Sequence, residues 1–101
     1  MEPNANSLLQ QLTIQSSAPE QLLWHCPLTQ EQTLLMVPTL LQRLDCQLGE
    51  LQQGADRLFW LVTFEGEPLE LHFESLCDSL WLQGNVDDIQ FLRTLAAKVT
   101  E

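Results

Sequence analysis

Apolar and polar positions alternate most regularly in the middle of the chain. Leu58, Trp60, Val62 and Phe64 form one series and Leu69, Leu71 and Phe73 a second, with Glu65-Gly66-Glu67-Pro68 between them. A period of two marks strands with one buried face, so this segment is predicted to be a β-hairpin. Folding back there sets Phe64 against Leu69, Val62 against Leu71 and Trp60 against Phe73, apolar opposite apolar. Pro68 lacks the N–H that a tight two-residue turn would use, which favours a four-residue loop.

Flanking segments extend the pattern. Leu12 and Ile14 give a weak strand signal between Gln10 and Ser16, ended by Ser16-Ser17-Ala18-Pro19. Gln21 to Cys26 reads as a strand with Leu22, Trp24 and Cys26 on one face and Leu23 and His25 on the other. Cys46 to Gln53 reads as a strand whose Leu48 and Leu51 share a face only if a bulge falls at Gly49. Gly54 to Arg57 is a turn, and Ser79 to Gln83 is a further strand carrying Leu80 and Leu82.

Two stretches switch to helical spacing. Thr29 and Gln32 form a T-x-x-Q capping box, followed by the stripe Leu34, Val37, Leu41 and Leu44, and Asp45 ends the run. Pro38 interrupts this helix and either kinks it or divides it in two. Asn85 is a good N-cap for a last helix, with Asp87 and Asp88 suited to its dipole and Ile89, Leu92, Leu95, Ala96 and Val99 as its buried stripe. The expected architecture is α+β: an antiparallel sheet of four to six strands with two helices packed on one face, a two-layer sandwich. Residues 1–7 are expected to be a flexible tail and residues 8–101 a single domain.

This layout leaves a second sheet face. Phe59 and Leu61 point away from the helices, Trp81 joins them, and His72 lies on that side between Glu70 and Glu74, whose carboxylates favour the imidazolium. An aromatic cluster there must be covered or used. The cover is the N-terminal segment around Leu12 and Ile14, a second copy of the chain, or another protein; aromatic residues dominate interface hot spots.

Composition narrows the partners. Fourteen Asp and Glu against four Lys and Arg leave a net charge of −10 on 101 residues. Such a body repels phosphate backbones and anionic lipid surfaces, so neither direct nucleic-acid binding nor membrane binding is expected. Its field steers basic partners inward, and it also keeps a small domain dissolved. Three cysteines, an odd number, argue against a disulfide framework. Met1-Glu2-Pro3-Asn4 lacks the basic and apolar regions of a signal peptide, and no apolar run approaches the ~20 residues of a membrane span. A cytoplasmic location is expected.

The stretches Gly54-Ala55-Asp56-Arg57-Leu58-Phe59-Trp60, Phe64-Glu65-Gly66, Leu69-Glu70-Leu71-His72-Phe73-Glu74 and Ser79-Leu80-Trp81-Leu82 resemble a family of small gammaproteobacterial proteins, domain of unknown function 3630. The resemblance covers about half the chain and implies a bacterial cytoplasmic protein of similar length. It brings no activity and no functional residues.

Catalytic and metal chemistry find little support. His25, Cys26, Cys46, His72 and Cys77 lack the close ligand pairs of structural zinc sites, and His25 and Cys26, being adjacent on a strand, point to opposite faces. Buried thiols behaving as small hydrophobes account for them. Cys77 and His72 are the nearest thiol–imidazole pair, but they would have to bridge a strand and the loop after it, among carboxylates that disfavour a thiolate. Glu65 and Glu67 sit at a hairpin tip, where solvation explains them. No phosphate loop, nucleophile elbow or zinc-protease motif occurs, and no cofactor is expected. The expected function is a small acidic, non-enzymatic protein-interaction module, self-associating or binding another protein through Phe59, Leu61, Trp81 and His72. The alternatives are a small enzyme with an unrecognised cleft and an acidic mimic filling the basic groove of a nucleic-acid-binding protein.

Overall fold

The computed structural model describes residues 4–99. In chain order they form α1 (Ala5–Leu9), β1 (Thr13–Gln15), β2 (Gln21–His25), α2 (Gln30–Arg43), β3 (Gln47–Gln53), β4 (Arg57–Phe64), β5 (Glu67–Glu74), β6 (Ser79–Gln83) and α3 (Val86–Val99). The six strands make one antiparallel sheet in the order β1-β2-β6-β5-β4-β3. Alternation along β2, β4, β5 and β6 sends Leu22, Trp24, Leu58, Trp60, Val62, Leu71, Phe73, Leu80 and Leu82 into one core with the helices. This is the expected α+β arrangement.

The central hairpin differs from expectation by two positions. Val62 faces Leu69, Trp60 faces Leu71 and Leu58 faces Phe73, because a two-residue turn, Glu65-Gly66, joins Phe64 to Glu67. Glu65 and Gly66 both have positive φ, 50° and 82°, the type I′ pattern that suits strand twist. Pro68 does not obstruct this turn. The closing hydrogen bonds belong to Phe64 and Glu67, and Pro68 pairs with Thr63 at the next, non-hydrogen-bonded position. Its missing N–H is directed to the other side, where β6 pairs only as far as Gln83 opposite Glu70. A shift of two preserves every face, since side chains repeat at that interval.

The α2 capping box forms as expected: the Gln32 N–H reaches Thr29 Oγ1 at 3.1 Å, and the Thr29 N–H reaches Gln32 Oε1 at 3.0 Å. Pro38 neither splits the helix nor ends it, because it lies on the exposed side, where the unbonded Leu34 carbonyl can take water instead. The buried stripe is Thr33, Met36, Val37, Leu40, Leu41 and Leu44; Leu34 is only half-buried. On α3, Asn85 Oδ1 caps the Asp88 N–H at 2.9 Å, and Ile89, Leu92 and Ala96 are buried.

The expected tail is in part a helix. Asn4 and Ser7 form a reciprocal capping box, and α1 packs on α2 with Leu8 and Leu9 fully buried. Serine in place of Glu or Gln at the box's third position hid this start. The part of the tail at residues 1–3 lies outside the described residues. In β3 the register jumps between Leu48 and Leu51, so Gly49 and Glu50 together oppose Leu61. A β-carbon at Gly49 would stand 2.8 Å from the Leu61 carbonyl oxygen, so this bulge needs glycine.

Candidate interface on the open sheet face

The face turned away from the helices is organised by register. Phe59 lies opposite His72, His72 opposite Trp81, and Trp81 opposite Leu23, so one row crosses β4, β5, β6 and β2. Its rings touch in sequence. Phe59 meets His72 edge-on with centroids 4.8 Å apart, and His72 stacks on Trp81 at 5.0 Å with planes 9° apart. These separations match the strand spacing, so the strands themselves set the stack. Offset and edge-to-face aromatic pairs contribute about 0.5–1.5 kcal/mol each beyond their buried area.

Polar groups border the row on both sides. Toward one side, Arg57 pairs with Glu74 across β4 and β5 at 3.2 Å. Toward the other, His72 Nε2 lies 3.0 Å from Glu70 Oε1, beside Leu61, which is 47% exposed. Glu70 thus takes the imidazole, while Glu74 is turned to the guanidinium. Two shallow depressions flank the rings. One of about 330 Å³ is lined by Arg57, Phe59, His72, Glu74 and Trp81 among others. The second, about 370 Å³, is lined by Leu61, Pro68, Leu69, Glu70, Gln83 and Gly84. Glycine at position 84 leaves room for Leu69, since a β-carbon there would stand 2.0 Å from Leu69 Cδ2 and force that side chain to move.

Phe59, His72 and Trp81 are therefore contiguous, with Leu61 one position further along β4. The sequence sets His72 between Glu70 and Glu74 without choosing between them, and it does not join Leu23 to this row. Alternation in β2 gave Leu23 its face, but only the β2–β6 pairing brings it to Trp81. Of the three covers the sequence allows, the N-terminal segment is not the one. Leu12 is buried, and Ile14 pairs with Trp24 and packs against the core, on the helix side. All four side chains of the row stay partly exposed.

The thiols lie elsewhere. Cys26 is buried, its N–H bonded to the Asp78 carbonyl at 2.7 Å. Burial pushes its thiol up to about 11, a shift opposed by Thr33 and the Leu28 backbone and increased by Asp78. Cys46 is pushed up to about 12 by burial, then by Asp45 and Asp88. Neither is a thiolate near neutrality, so neither is a ready nucleophile. Cys77 is exposed in a 3₁₀ turn, Ser75–Cys77, beyond the end of β5. Among the described residues, no three of the His, Cys, Asp and Glu side chains gather closely enough to hold a metal ion. None of the described helices is long and apolar enough to cross a membrane.

These features define an α+β protein with an antiparallel six-stranded sheet, helices on one side and an aromatic row on the other. The chain belongs to the family described as protein of unknown function (DUF3630), whose model matches residues 9–98. No curated protein and no solved structure matches it.

Proposed function

We propose that this chain is a non-enzymatic interaction module of the bacterial, specifically gammaproteobacterial, cytoplasm, docking a protein on the open face of its sheet. The observation that carries this reading is the contiguous Phe59–His72–Trp81–Leu23 row, whose side chains are all partly exposed. Large side chains held in a fixed stack lose little freedom when a partner arrives, which suits a docking surface. The acidic balance of the chain supports a protein partner over nucleic acid or an anionic membrane.

The test is a Phe59→Ser/Trp81→Ser variant, verified as folded by circular dichroism. It is compared with the native chain by light scattering and by capture from the native cell, every captured protein being identified and re-measured in pure form. Self-association or a purified partner lost only with the variant is the expected result. Identical behaviour of the two proteins sinks the reading. A metabolite that raises the melting temperature of both equally would favour the enzyme alternative.

A further inference from the structure

We infer that the occupant of this face is a basic, extended segment of another protein, with aliphatic side chains on the ring row and an arginine or lysine at Glu70. This rests on the docking reading above and adds the partner's chemistry. Two observations select it over a second copy of the chain.

The first is size. The row crosses four strands, about 14 Å, and is one residue wide, on the order of 100 Å² in projection. A stable dimer buries roughly 800 Å² on each partner, so a copy would also have to bury the surrounding polar rows. Apart from Leu61, those rows hold Arg57, Glu74, Ser79 and His25 on one side and Glu70, Gln83 and Gln21 on the other. An extended segment fits better, because three of its same-side residues span about the same 14 Å.

The second is charge. Each copy carries −10, so self-docking opposes two strongly acidic bodies, whereas a basic segment is drawn in. On the face itself Glu74 already has Arg57, while Glu70 is 52% exposed and bonds His72 through one oxygen only. Glu70 also lines the depression formed with Leu61, Pro68, Gln83 and Gly84, which leaves its carboxylate open to a cation. Three of the four basic residues are occupied within the chain. Arg57 holds Glu74, Arg43 donates to Asn6, and Arg93 donates to the Ala18 and Gln21 carbonyls.

The experiment titrates the full chain, by fluorescence anisotropy, into two labelled peptides. In one, leucine and arginine alternate with serine spacers; in the other, glutamate replaces arginine. Glu70→Lys and Trp81→Ser probe the face, and Glu31→Lys on α2 makes the same charge change on the helix layer. The arginine peptide should bind, weakening about tenfold with Glu70→Lys and with Trp81→Ser but less than twofold with Glu31→Lys. Added salt should weaken it too, and the glutamate peptide should not bind. Equal binding of both peptides, or equal losses from Glu31→Lys and Glu70→Lys, overturns the inference while leaving the docking face in place. So does self-association that Trp81→Ser abolishes. No binding of the arginine peptide also overturns it, and the docking reading then stands or falls by captured partners that need Phe59 and Trp81.

Discussion

On the helix side of the sheet, β4 and β5 bury Leu58, Trp60, Val62, Leu71 and Phe73; on the other side the same two strands hold Phe59, Leu61 and His72 toward water. Both sides carry aromatic residues at alternate positions, so the strands alone do not distinguish a core from a docking surface. The difference lies in what faces them. Apolar stripes on α2 and α3 close one side, and the row on the other stays partly exposed. A sheet face is therefore defined by its neighbours as much as by its own residues.

That comparison can be broken most directly by truncating one ring on each side. Phe73→Ala removes a fully buried ring and should cost about 3–5 kcal/mol in urea unfolding. Phe59→Ser should cost clearly less, on the order of 1–2 kcal/mol, since it loses one ring contact and only part of its buried area. Equal losses would mean that the open face is structural. Gly84→Ala presses on Leu69, which is buried, and should cost about 1–3 kcal/mol while filling the depression beside Glu70. A crystal structure or spectrum showing Leu69 unmoved would contradict this.

The thiols sharpen the contrast through pH. Cys26 and Cys46 hold their protons in the folded state up to about 11 and about 12, whereas an unfolded thiol loses its proton near the ordinary 9.0. Above that lower value the unfolded state binds fewer protons, so stability must fall as pH rises from 9 toward 12. Cys46→Ala should flatten that slope, as measured by thermal melts across the window. At pH 8 a thiol reagent should label Cys77 well before the other two. The smallest effect concerns the turn that sets the register. Glu65→Asn relieves a positive φ that asparagine tolerates, and should stabilise by about 0.5–1 kcal/mol with unchanged strand pairing.

Much of the fold was legible because β4, β5 and β6 alternate cleanly and because the α2 and α3 caps are written locally in Thr29, Gln32 and Asn85. The Gly49 bulge could be read from the three-residue interval between Leu48 and Leu51. What escaped was non-local or rested on one misjudged residue. Pro68 argued against a tight turn until its N–H side was known, and α1 begins in polar residues that resemble a tail. The aromatic positions of the candidate site and the carboxylates beside His72 followed from alternation, whereas the choice of Glu70 over Glu74, which Arg57 claims from the neighbouring strand, and the meeting of Trp81 with Leu23 needed the assembled sheet.

The strand order has a kinetic consequence. From β3 to β6 each strand pairs with its successor in the chain, so this meander closes through short loops. Only the β2–β6 seam joins distant stretches, residues 21–25 with residues 79–83. Closing a long loop delays such contacts, so the meander should supply the folding nucleus and the seam should zip up afterwards. Leu71→Ala then slows refolding in stopped-flow experiments, while Leu22→Ala chiefly accelerates unfolding.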